Sequence, residues 1–424
     1  MKSTILRLCN LLKPMIRGAF VRDTWHTLEK CDILLIRHDN DCGYSINGKA
    51  YGHLIDSLGD LCANKSLRVQ ILATPLSTLV GDKAWNSPAS YNQAYLIITV
   101  FRRLIILIKG KDFADRWANY HRIMLCCDIL NTCRPTIIIG IQPDKYFCQA
   151  GKELGIPVYD LQHGVIADDN IYYGANYRFS TPSEELPNGI LCWDEQARTA
   201  IEKWGDSKGI RTIKIGNPWF LRFIKGRSCD VLVTEAFNRE SLPDNSQPRI
   251  LVSLQWGMEI YYSYTSFNGV MIDALEEVIL DTLDKYNWNL RLHPVQLRDE
   301  EKEATLNYLK RTFGQEKMEE WVQSSQVPLP IVLNHTDLHM TDMSTVVIEA
   351  AWMGVRSGML NMKCKDFFSH QISLGIAEVL PHDPDTIKQW IADTLAKGRA
   401  KPTMEDSSQA LDDFIEEIVQ RCKQ

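Results

Sequence analysis

Short, continuous apolar runs alternate with longer helix-like segments along the chain, and this alternation restricts the fold more than any other feature. In the first half, a helical segment includes residues 117–133, and the apolar runs cover residues 31–37, 67–73, 136–140, 156–161 and 189–193. Strands that are apolar along their whole length are typical of parallel sheets covered by helices on both faces. The first half therefore predicts a doubly wound α/β domain.

The same alternation starts again in the second half, after a break. Residues 211–218 predict a strand that closes with the turn Gly216-Asn217-Pro218. The stretch from 223 to 249 is polar, contains two prolines and has no sustained periodicity. Beyond it the pattern predicts strands at 249–254, 288–292 and 329–333, and helices at 267–286, 300–313, 343–353, 385–397 and 410–423.

The chain of 424 residues is too long for one compact core. We therefore predict two doubly wound Rossmann-like α/β domains that face a cleft. They cover residues 1–222 and 249–424, the latter with the two closing helices, and residues 223–248 form the interdomain segment. The sequence contains no G-x-G-x-x-G fingerprint, so the pattern does not favour a dinucleotide-binding protein.

Composition excludes some classes of function. The net charge of −6 argues against a general nucleic-acid-binding protein. The twelve cysteines form no C-x-x-C pair, which indicates reduced thiols in a cytoplasm and neither a disulfide framework nor a zinc site. No apolar run reaches the length of a membrane span. The basic, mildly apolar residues 1–22 lack a small-residue cleavage site, so they predict a helix and not a signal peptide.

Residues 97–111 form the most apolar stretch of the first domain, and Arg102, Arg103, Lys109 and Lys111 flank its apolar core. We favour a core helix whose long basic side chains reach the surface from its ends. The alternative is a helix that lies on an anionic membrane surface. In that case the protein would associate peripherally with the inner face of the cytoplasmic membrane.

Residues 341–354 predict a loop that turns into a helix. Ser344 and Thr345 stand where the helix begins, Glu349 stands one turn later, and Gly354 ends it. A helix N-terminus presents N–H groups that bind phosphate, and Glu349 can accept hydrogen bonds from ribose hydroxyls. The segment therefore favours a nucleotide site. A capped helix on a sheet, with Ser344 as its N-cap, explains the same residues without a ligand.

A second segment strengthens the nucleotide interpretation. Residues 288–294 predict a buried strand that ends in a loop at His293 and Pro294. Ligands of open α/β sheets bind at the carboxyl ends of the strands. Arg291 and His293 are therefore expected beside the phosphate of the donor. Residues 253–257 end the first strand of the same domain, so Gln255 is a further donor-binding candidate, although Gly257 alone would explain a tight turn there.

Polar residues also follow a buried strand of the first domain. Residues 158–164 end with Asp160, Gln162, His163 and Gly164. A carboxylate and an imidazole at such an exit are the usual parts of nucleophilic or acid–base catalysis. We predict that Asp160 and His163 are catalytic. The structural alternative pairs Asp160 with an arginine or with backbone groups and uses His163 as a loop cap.

The loop after the first strand, residues 37–49, carries a second polar cluster in this domain. Asp39, Asp41 and Asn47 are predicted to bind the acceptor. The two aspartates lack the spacing of a calcium loop. Asn47-Gly48 is in its own right the signal of a β-hairpin turn.

Together these segments resemble the nucleotide-sugar glycosyltransferases of the GT-B type over roughly residues 30–400. The likeness is to bacterial enzymes that use CMP-activated sugars: the β-Kdo transferases of capsule and O-antigen assembly and the sialyltransferases with a His-Pro motif. The glycerophosphotransferases that build teichoic acid from CDP-glycerol are also similar. The matching pieces are Asp160-Leu-Gln-His-Gly164, Arg291-Leu-His-Pro294 and Ser344-Thr-Val-Val-Ile-Glu349.

The resemblance implies that Asp160 is the catalytic carboxylate, acting as nucleophile or general base. It also implies a shared donor role for the matching residues of the second domain, which would hold the nucleotide and its phosphate: Arg291, His293, Ser344, Thr345 and Glu349. The first domain would then be the acceptor side and the second the nucleotide-sugar-binding domain. A helix N-terminus with Arg291 and His293 can neutralise a leaving phosphate, so no metal ion and no cofactor are expected.

We accordingly predict a cytoplasmic glycosyltransferase that moves Kdo or a related ulosonic acid from a CMP-sugar. The acceptor would be a growing bacterial surface polysaccharide, a lipopolysaccharide or capsule glycan, free or lipid-linked. One alternative is a glycerophosphotransferase that uses CDP-glycerol. The other is a non-catalytic, transferase-like subunit that binds a glycan or a nucleotide.

Overall fold

The computed structural model describes residues 16–224, 230–238, 247–258, 268–405 and 407–423. Most of the predicted helix over residues 1–22, and most of the predicted interdomain segment 223–248, lie outside these ranges. The chain divides into two compact units. Unit 1 comprises the residues up to Trp219 together with those from Ser407 onward, and unit 2 comprises residues 220–406.

Unit 1 contains a six-stranded parallel sheet in the order β4-β1-β5-β6-β7-β8. Its strands β1, β5, β6 and β7 are buried along their whole length, as the continuous apolar runs predict. A separate antiparallel hairpin joins β2 to β3. The strands are β1 Ile33–Arg37, β2 Tyr44–Ile46, β3 Lys49–Tyr51, β4 Val69–Ala73, β5 Ile137–Gly140, β6 Val158–Leu161, β7 Gly189–Cys192 and β8 Arg211–Lys214.

Helices cover the sheet of unit 1. They are α1 Ile55–Ala63, α2 Asn92–Lys109, α3 Lys111–Cys133, α4 Lys145–Leu154, α5 Ala175–Arg178 and α6 Glu195–Gly205. Helix α3 contributes Leu125, Ile129 and Leu130 to a core that also contains Ile138 of β5 and Phe147 of α4. Apolar side chains at helical spacing thus bury one face of α3 against the sheet.

Unit 2 contains a five-stranded parallel sheet in the order β10-β9-β11-β12-β13. Its strands are β9 Arg249–Ser253, β10 Asn287–Arg291, β11 Leu338–Thr341, β12 Arg356–Met359 and β13 Ala377–Val379. The helices that follow are α7 Pro218–Ile224, which spans the boundary between the units, α8 Val231–Asn238, α9 Asp273–Asp281, α10 Asp299–Phe313, α11 Gln315–Ser324, α12 Leu329–Asn334, α13 Val346–Trp352, α14 Cys364–Phe367, α15 Ser369–Ser373 and α16 Pro384–Lys397.

One predicted strand is wrong. Residues 329–333 lie in helix α12, which has a proline in its first turn and is buried at every position except its last, Asn334. A five-residue apolar run fits a buried strand and a buried helix equally well, and a proline early in the run favours the helix. The third strand of the sheet is β11 instead, which the sequence analysis missed.

The last helix, α17 Ser408–Cys422, belongs to unit 1. The sequence analysis had grouped it with residues 249–424. Its apolar stripe is buried, and the ring of Phe414 lies 5.7 Å from that of Tyr159. Arg211 donates to both carboxylate oxygens of Glu417, at 2.6 and 2.8 Å. The chain therefore returns to the first sheet at its C-terminal end.

Helix α2 departs from the core helix favoured above. Its buried residues are Asn92, Leu96 and Ile98, all in the N-terminal half, whereas Leu107 is 83% exposed and Ile108 is 79% exposed. The interpretation as a core helix is wrong for its C-terminal half. Within the part of the chain that the structure describes, no helix is long and apolar enough to cross a membrane.

Candidate functional site

The order of the strands in unit 2 creates a topological switch point. The chain passes from β9 to β10 on one side of β9 and then crosses to β11 on its other side. Connections that leave in opposite directions open a crevice at the carboxyl ends of such neighbouring strands, and ligands of open α/β sheets bind there. The predicted residues Gln255, His293 and Ser344 follow β9, β10 and β11 respectively, so the sheet brings them to one edge.

Gln255 lies in the loop after β9 and is hydrogen-bonded to the loop after β11. Its side-chain amide donates to the carbonyl oxygen of Met343 at 2.7 Å, and the backbone N–H of Met343 donates to its side-chain oxygen. The backbone oxygen of Gln255 in turn accepts from the side chain of Gln296 at 3.2 Å. Gln255 therefore fixes the loop that precedes α13, in addition to the donor-binding role predicted for it.

His293 lies at the start of a short 3-10 helix, Pro294–Leu297. The ring Nδ1 of His293 accepts the backbone N–H of Val295 at 3.2 Å, and the backbone N–H of His293 donates to the side-chain oxygen of Gln296 at 2.8 Å. Because Nδ1 accepts a hydrogen bond, the proton of the neutral ring is on Nε2. The imidazole is thereby fixed as an N–H donor at the carboxyl edge of the sheet, the form that an anionic ligand needs.

Arg291 is half-buried, and its Nη1 donates to the carbonyl oxygens of Val327 and Ser324, at 2.9 and 3.4 Å. The guanidinium thus holds the connection between α11 and α12. Its predicted contact with phosphate stays a prediction.

Ser344, Thr345 and Glu349 lie around the start of α13. Ser344 is half-buried, and its hydroxyl accepts the N–H of Val346 at 3.3 Å, as in the capping alternative, although Thr345 holds the N-cap position. Glu349 stands in the first turn and is 6% exposed. Their predicted roles toward phosphate and ribose are untested.

A buried histidine, absent from the sequence analysis, ties the sheet together beneath this edge. His339 of β11 bridges the hydroxyls of Ser357 on β12 and Ser253 on β9, at 2.9 and 3.0 Å. Burial lowers the pKa of His339 to about 3, so the ring stays neutral at physiological pH. Thr341 donates to the carbonyl oxygen of Ser253 at 2.8 Å, which adds a further link between β11 and β9.

The sheet of unit 1 has a switch point of the same kind, between β1 and β5. The Asp39–Asp41 turn follows β1, Gln142 follows β5, and Asp160 lies in β6, the next strand. The sequence analysis predicted the polar loops after β1 and β6. The sheet order places their strands on either side of β5.

Asp160 is 5% exposed. Its Oδ1 accepts the backbone N–H of Gln142 at 2.9 Å and the hydroxyl of Tyr173 at 3.4 Å. Burial raises the pKa of Asp160 to about 7, although these hydrogen bonds and the charge of Arg178 act in the opposite direction. The carboxyl group therefore changes its charge close to neutral pH.

Asp41 is fully buried and ionised. Its carboxylate accepts the N–H of Leu54 and of Ile55, with the nearer oxygen of each at 3.1 and 3.0 Å, and pairs with Nδ1 of His53 at 2.8 Å. Burial alone would raise the pKa of Asp41, but His53, His163 and the N–H of Ile55 together hold it below its usual value. The sequence analysis missed His53, because the three-residue strand β3 before it is too short to be recognised as an apolar run.

His163 belongs to the same group of side chains. Burial lowers its pKa to about 4, against the charge of Asp41, while His53 and His38 also lower it. The ring is therefore neutral at physiological pH and can accept a hydrogen bond. Although imidazoles and a carboxylate meet here, no group of three or more His, Cys, Asp or Glu in the described ranges is arranged to hold a metal ion.

The remaining residues predicted in this unit have local roles. Gln162 donates to the carbonyl oxygen of Gly164 at 2.9 Å and accepts the N–H of Trp193 at 2.7 Å, which fixes the loop that carries His163. Gly164 has a φ of +102°, a conformation that favours glycine. Asp39 accepts the hydroxyl of Ser77 at 2.6 Å. Asn47 has a φ of +51° in the turn between β2 and β3, which confirms the predicted hairpin.

No protein-family model and no curated protein sequence matches the chain. Solved structures do resemble it. UDP-GlcNAc 2-epimerase from Methanocaldococcus jannaschii has a TM-score of 0.54 at 12% identity and covers 92% of this chain and 99% of its own. The enzyme from Neisseria meningitidis, bound to UDP-GlcNAc, has a TM-score of 0.51 at 12% identity with coverages of 92% and 99%. The wall teichoic acid polymerase TagF has a TM-score of 0.51 at 11% identity, with coverages of 100% and 97%.

At this level of identity the likenesses show the fold. The chain has two Rossmann-like α/β domains of the GT-B type, as the sequence analysis predicts.

Proposed function

We propose that the chain is a glycosyltransferase that binds a nucleotide-activated donor at the carboxyl edge of unit 2 and uses the polar groups at the carboxyl edge of unit 1 for the reaction. The observation that carries the proposal is the switch point between β9 and β11. There Gln255 fixes the loop before α13, and His293, after the adjacent β10, is fixed as an N–H donor. Rigid donors at such a crevice suit the phosphate of a nucleotide.

In this proposal His293 donates from Nε2 to the donor phosphate as charge develops on the leaving nucleotide. Ser344 and Thr345 supply hydroxyl donors, and Glu349 accepts the hydroxyls of the ribose. Since these groups and Arg291 neutralise the phosphate, the reaction proceeds without a metal ion or a cofactor.

Asp160 acts as the catalytic carboxylate. Both hydrogen bonds described for it fall on Oδ1, so Oδ2 is the oxygen assigned to the substrate. A pKa of about 7 suits a general base at neutral pH, because the group is partly ionised and still basic enough to take a proton from an acceptor hydroxyl. The same carboxylate, when ionised, can instead attack the anomeric carbon. His163, neutral beside Asp41 and His53, binds the acceptor hydroxyl, with Asp39 and Asn47 as further acceptor contacts.

For the donor we propose a CMP-linked ulosonic acid such as Kdo, from the resemblance of three sequence segments, and for the acceptor a bacterial surface glycan. A CDP-glycerol-type glycerophosphotransferase is the second candidate. It is favoured by the likeness to TagF, one structure of which contains CDPG, over the whole length of this chain.

Titration calorimetry with CMP, CDP and UDP tests the donor site. We expect CMP to bind, and His293→Ala to weaken that binding at least tenfold. The matched control is His370→Ala, which removes an exposed imidazole from α15 and leaves the affinity unchanged. Absence of binding for all three nucleotides would overturn the donor site.

Incubation with labelled donors then separates the reactions. Transfer of the ulosonic acid to a surface-glycan acceptor supports the first candidate, and transfer of glycerol phosphate from CDP-glycerol supports the second. Formation of the 2-epimer from UDP-GlcNAc without any acceptor would contradict both. Binding of a nucleotide with no turnover of any donor would identify the non-catalytic subunit.

A further inference from the structure

Helix α2 and the first turn of α3 form a hairpin whose outer surface is apolar and exposed. On α2 the exposed large side chains are Ile97, Val100, Phe101, Leu104, Leu107 and Ile108, with exposed fractions from 49% to 83%. They recur every three or four residues and so lie on one side of the helix. Phe113, 40% exposed, continues this surface beyond the turn at Gly110. We call these seven residues the hairpin face.

The residues of the hairpin face are exposed even though helix α2 is packed against the rest of unit 1. The opposite side of α2 buries Leu96 and Ile98, and Arg122 of α3 donates to Thr99 at 3.2 Å. The helix is thus anchored in unit 1 and still carries a second apolar side that the described residues leave exposed. A contiguous apolar surface of this kind marks a site of interaction.

Basic side chains surround the hairpin face. Residues 97–116 contain five Lys and Arg and two Asp, in a chain whose net charge is −6. One of the two aspartates, Asp115, already pairs with Arg102 at 2.6 Å. Arg103, Lys109, Lys111 and Arg116 are exposed around the apolar residues. The ammonium of Lys109 lies 4.8 Å from the ring centre of Phe113, so charge and apolar surface are in direct contact.

We propose that the hairpin face binds the surface of a bilayer that contains anionic lipids. The apolar side chains of the helix face can contact the acyl chains of the bilayer. The basic side chains beside them can contact its anionic headgroups. Because α2 is buried in unit 1 at Leu96 and Ile98, the hairpin would lie on the membrane surface with its outer face toward the lipid. The proposal rests on exposure and charge and is independent of the reaction proposed above.

Charge also decides between a membrane and a second copy of the chain. A two-fold interface through the hairpin face would place its apolar residues against the same residues of the partner. It would also bring Lys109, Lys111 and Arg116 close to their own copies, whereas Asp112 is the one exposed acidic residue of this stretch. Anionic headgroups supply the opposite charge that this surface lacks.

Flotation of the full-length protein with vesicles tests the proposal. We expect binding to vesicles of phosphatidylcholine with phosphatidylglycerol, little binding to phosphatidylcholine alone, and weaker binding as the salt concentration rises. L107S/I108S should lower the bound fraction at least tenfold, because two apolar anchors are lost. K109Q/K111Q should lower the affinity about tenfold or more, since each basic residue near an anionic surface contributes about fivefold.

The matched control is M362S/L374S, which removes two large apolar side chains from unit 2 that are 61% and 51% exposed. It should bind vesicles as the unchanged protein does. All variants alter exposed positions, so melting temperatures should stay close together, and this is measured alongside. Equal binding of L107S/I108S and the control would overturn the proposal. So would a dimer in solution that L107S/I108S dissociates and that does not bind vesicles, because the hairpin face would then join two copies of the chain.

Discussion

The carboxyl edges of the two sheets carry different kinds of side chain. In unit 2 two uncharged side chains are fixed by hydrogen bonds: Gln255 at the edge binds the backbone of Met343, and His339 beneath it bridges two serines with its pKa lowered to about 3 by burial. In unit 1 the groups are titratable and their pKa values are displaced. Burial raises that of Asp160 to about 7 and lowers that of His163 to about 4.

This difference separates two tasks. An edge of pre-arranged donors binds a ligand with little reorganisation, whereas carboxyl and imidazole groups with displaced pKa values are typical of sites where protons move. We therefore expect substitutions at the edge of unit 1 to change turnover and leave nucleotide binding intact, and those at the edge of unit 2 to weaken nucleotide binding.

Asp160→Asn should have the largest effect. The amide retains an oxygen for the N–H of Gln142 but can neither take a proton nor attack carbon, so turnover should fall roughly 10²–10⁴-fold or be abolished. Nucleotide affinity, measured by calorimetry, should not change. A loss of affinity equal to the loss of turnover would remove the distinction between the two edges.

The same residue distinguishes a nucleophile from a base. If Asp160 attacks the anomeric carbon, mass spectrometry of the intact protein should detect a sugar adduct when the acceptor is withheld. If it is a base, no adduct forms. Normal turnover of Asp160→Asn would exclude both roles.

His293→Ala should follow in size, with turnover lower by roughly a hundredfold, the usual effect of one lost donor to a developing charge. Nucleotide affinity should fall with it, because the Nε2–H donor acts at the binding edge. Steady-state kinetics on the correct donor, with His370→Ala as the control, measure this. Near-normal turnover would reduce His293 to its role in capping the Pro294–Leu297 turn.

Stability should also depend on pH through Asp160. Its pKa rises from 3.8 to about 7 on folding, so the folded state binds the proton more tightly than the unfolded state does. This contribution is complete below pH 3.8 and is lost as the pH rises through 7. Asp160→Asn, which mimics the protonated acid, should therefore stabilise the fold at pH 8, on the order of 2–4 kcal/mol, and have little effect at pH 4.

Thermal unfolding at both pH values measures this difference, with exposed Asp206→Asn as the matched control. Destabilisation by Asp160→Asn at pH 8 would show that the ionised carboxylate supports the fold. Asp160 would then be a structural residue, and the contrast between the two edges would disappear.

Local sequence patterns sufficed for much of the fold. The apolar runs predicted β1, β5, β6 and β7, because strands buried on both faces contain few polar residues. They failed at β11, where His339 and Thr341 interrupt the apolar pattern. Those polar groups are satisfied by Ser253 and Ser357 on neighbouring strands, and sequence spacing contains no information about such long-range partners.

The candidate site shows the same limit. Polar residues just after a strand, such as His293 and His163, could be found from sequence because the strand before them was recognisable. His53 could not, since its link to Asp41 forms only when the chain folds back after the hairpin. The exposure of Leu107 was equally hidden, because an apolar helical stripe has the same sequence whether a core or a membrane covers it.

Gln255→Ala should have the smallest effect and is the most direct test of how the edge of unit 2 works. The side chain exchanges two hydrogen bonds with the backbone of Met343, across 88 residues of sequence, and each contributes about 1 kcal/mol net. Their loss should loosen the loop before α13, so nucleotide affinity should fall about five- to thirtyfold while turnover of saturated enzyme changes little.

Calorimetry measures the affinity and steady-state kinetics measure the turnover of the Gln255→Ala variant. The control is Gln389→Ala, which removes an exposed amide bonded to Asp393. A fall in turnover at saturating donor, with affinity unchanged, would mean that the loop acts in the reaction itself, and the two edges would then share both tasks.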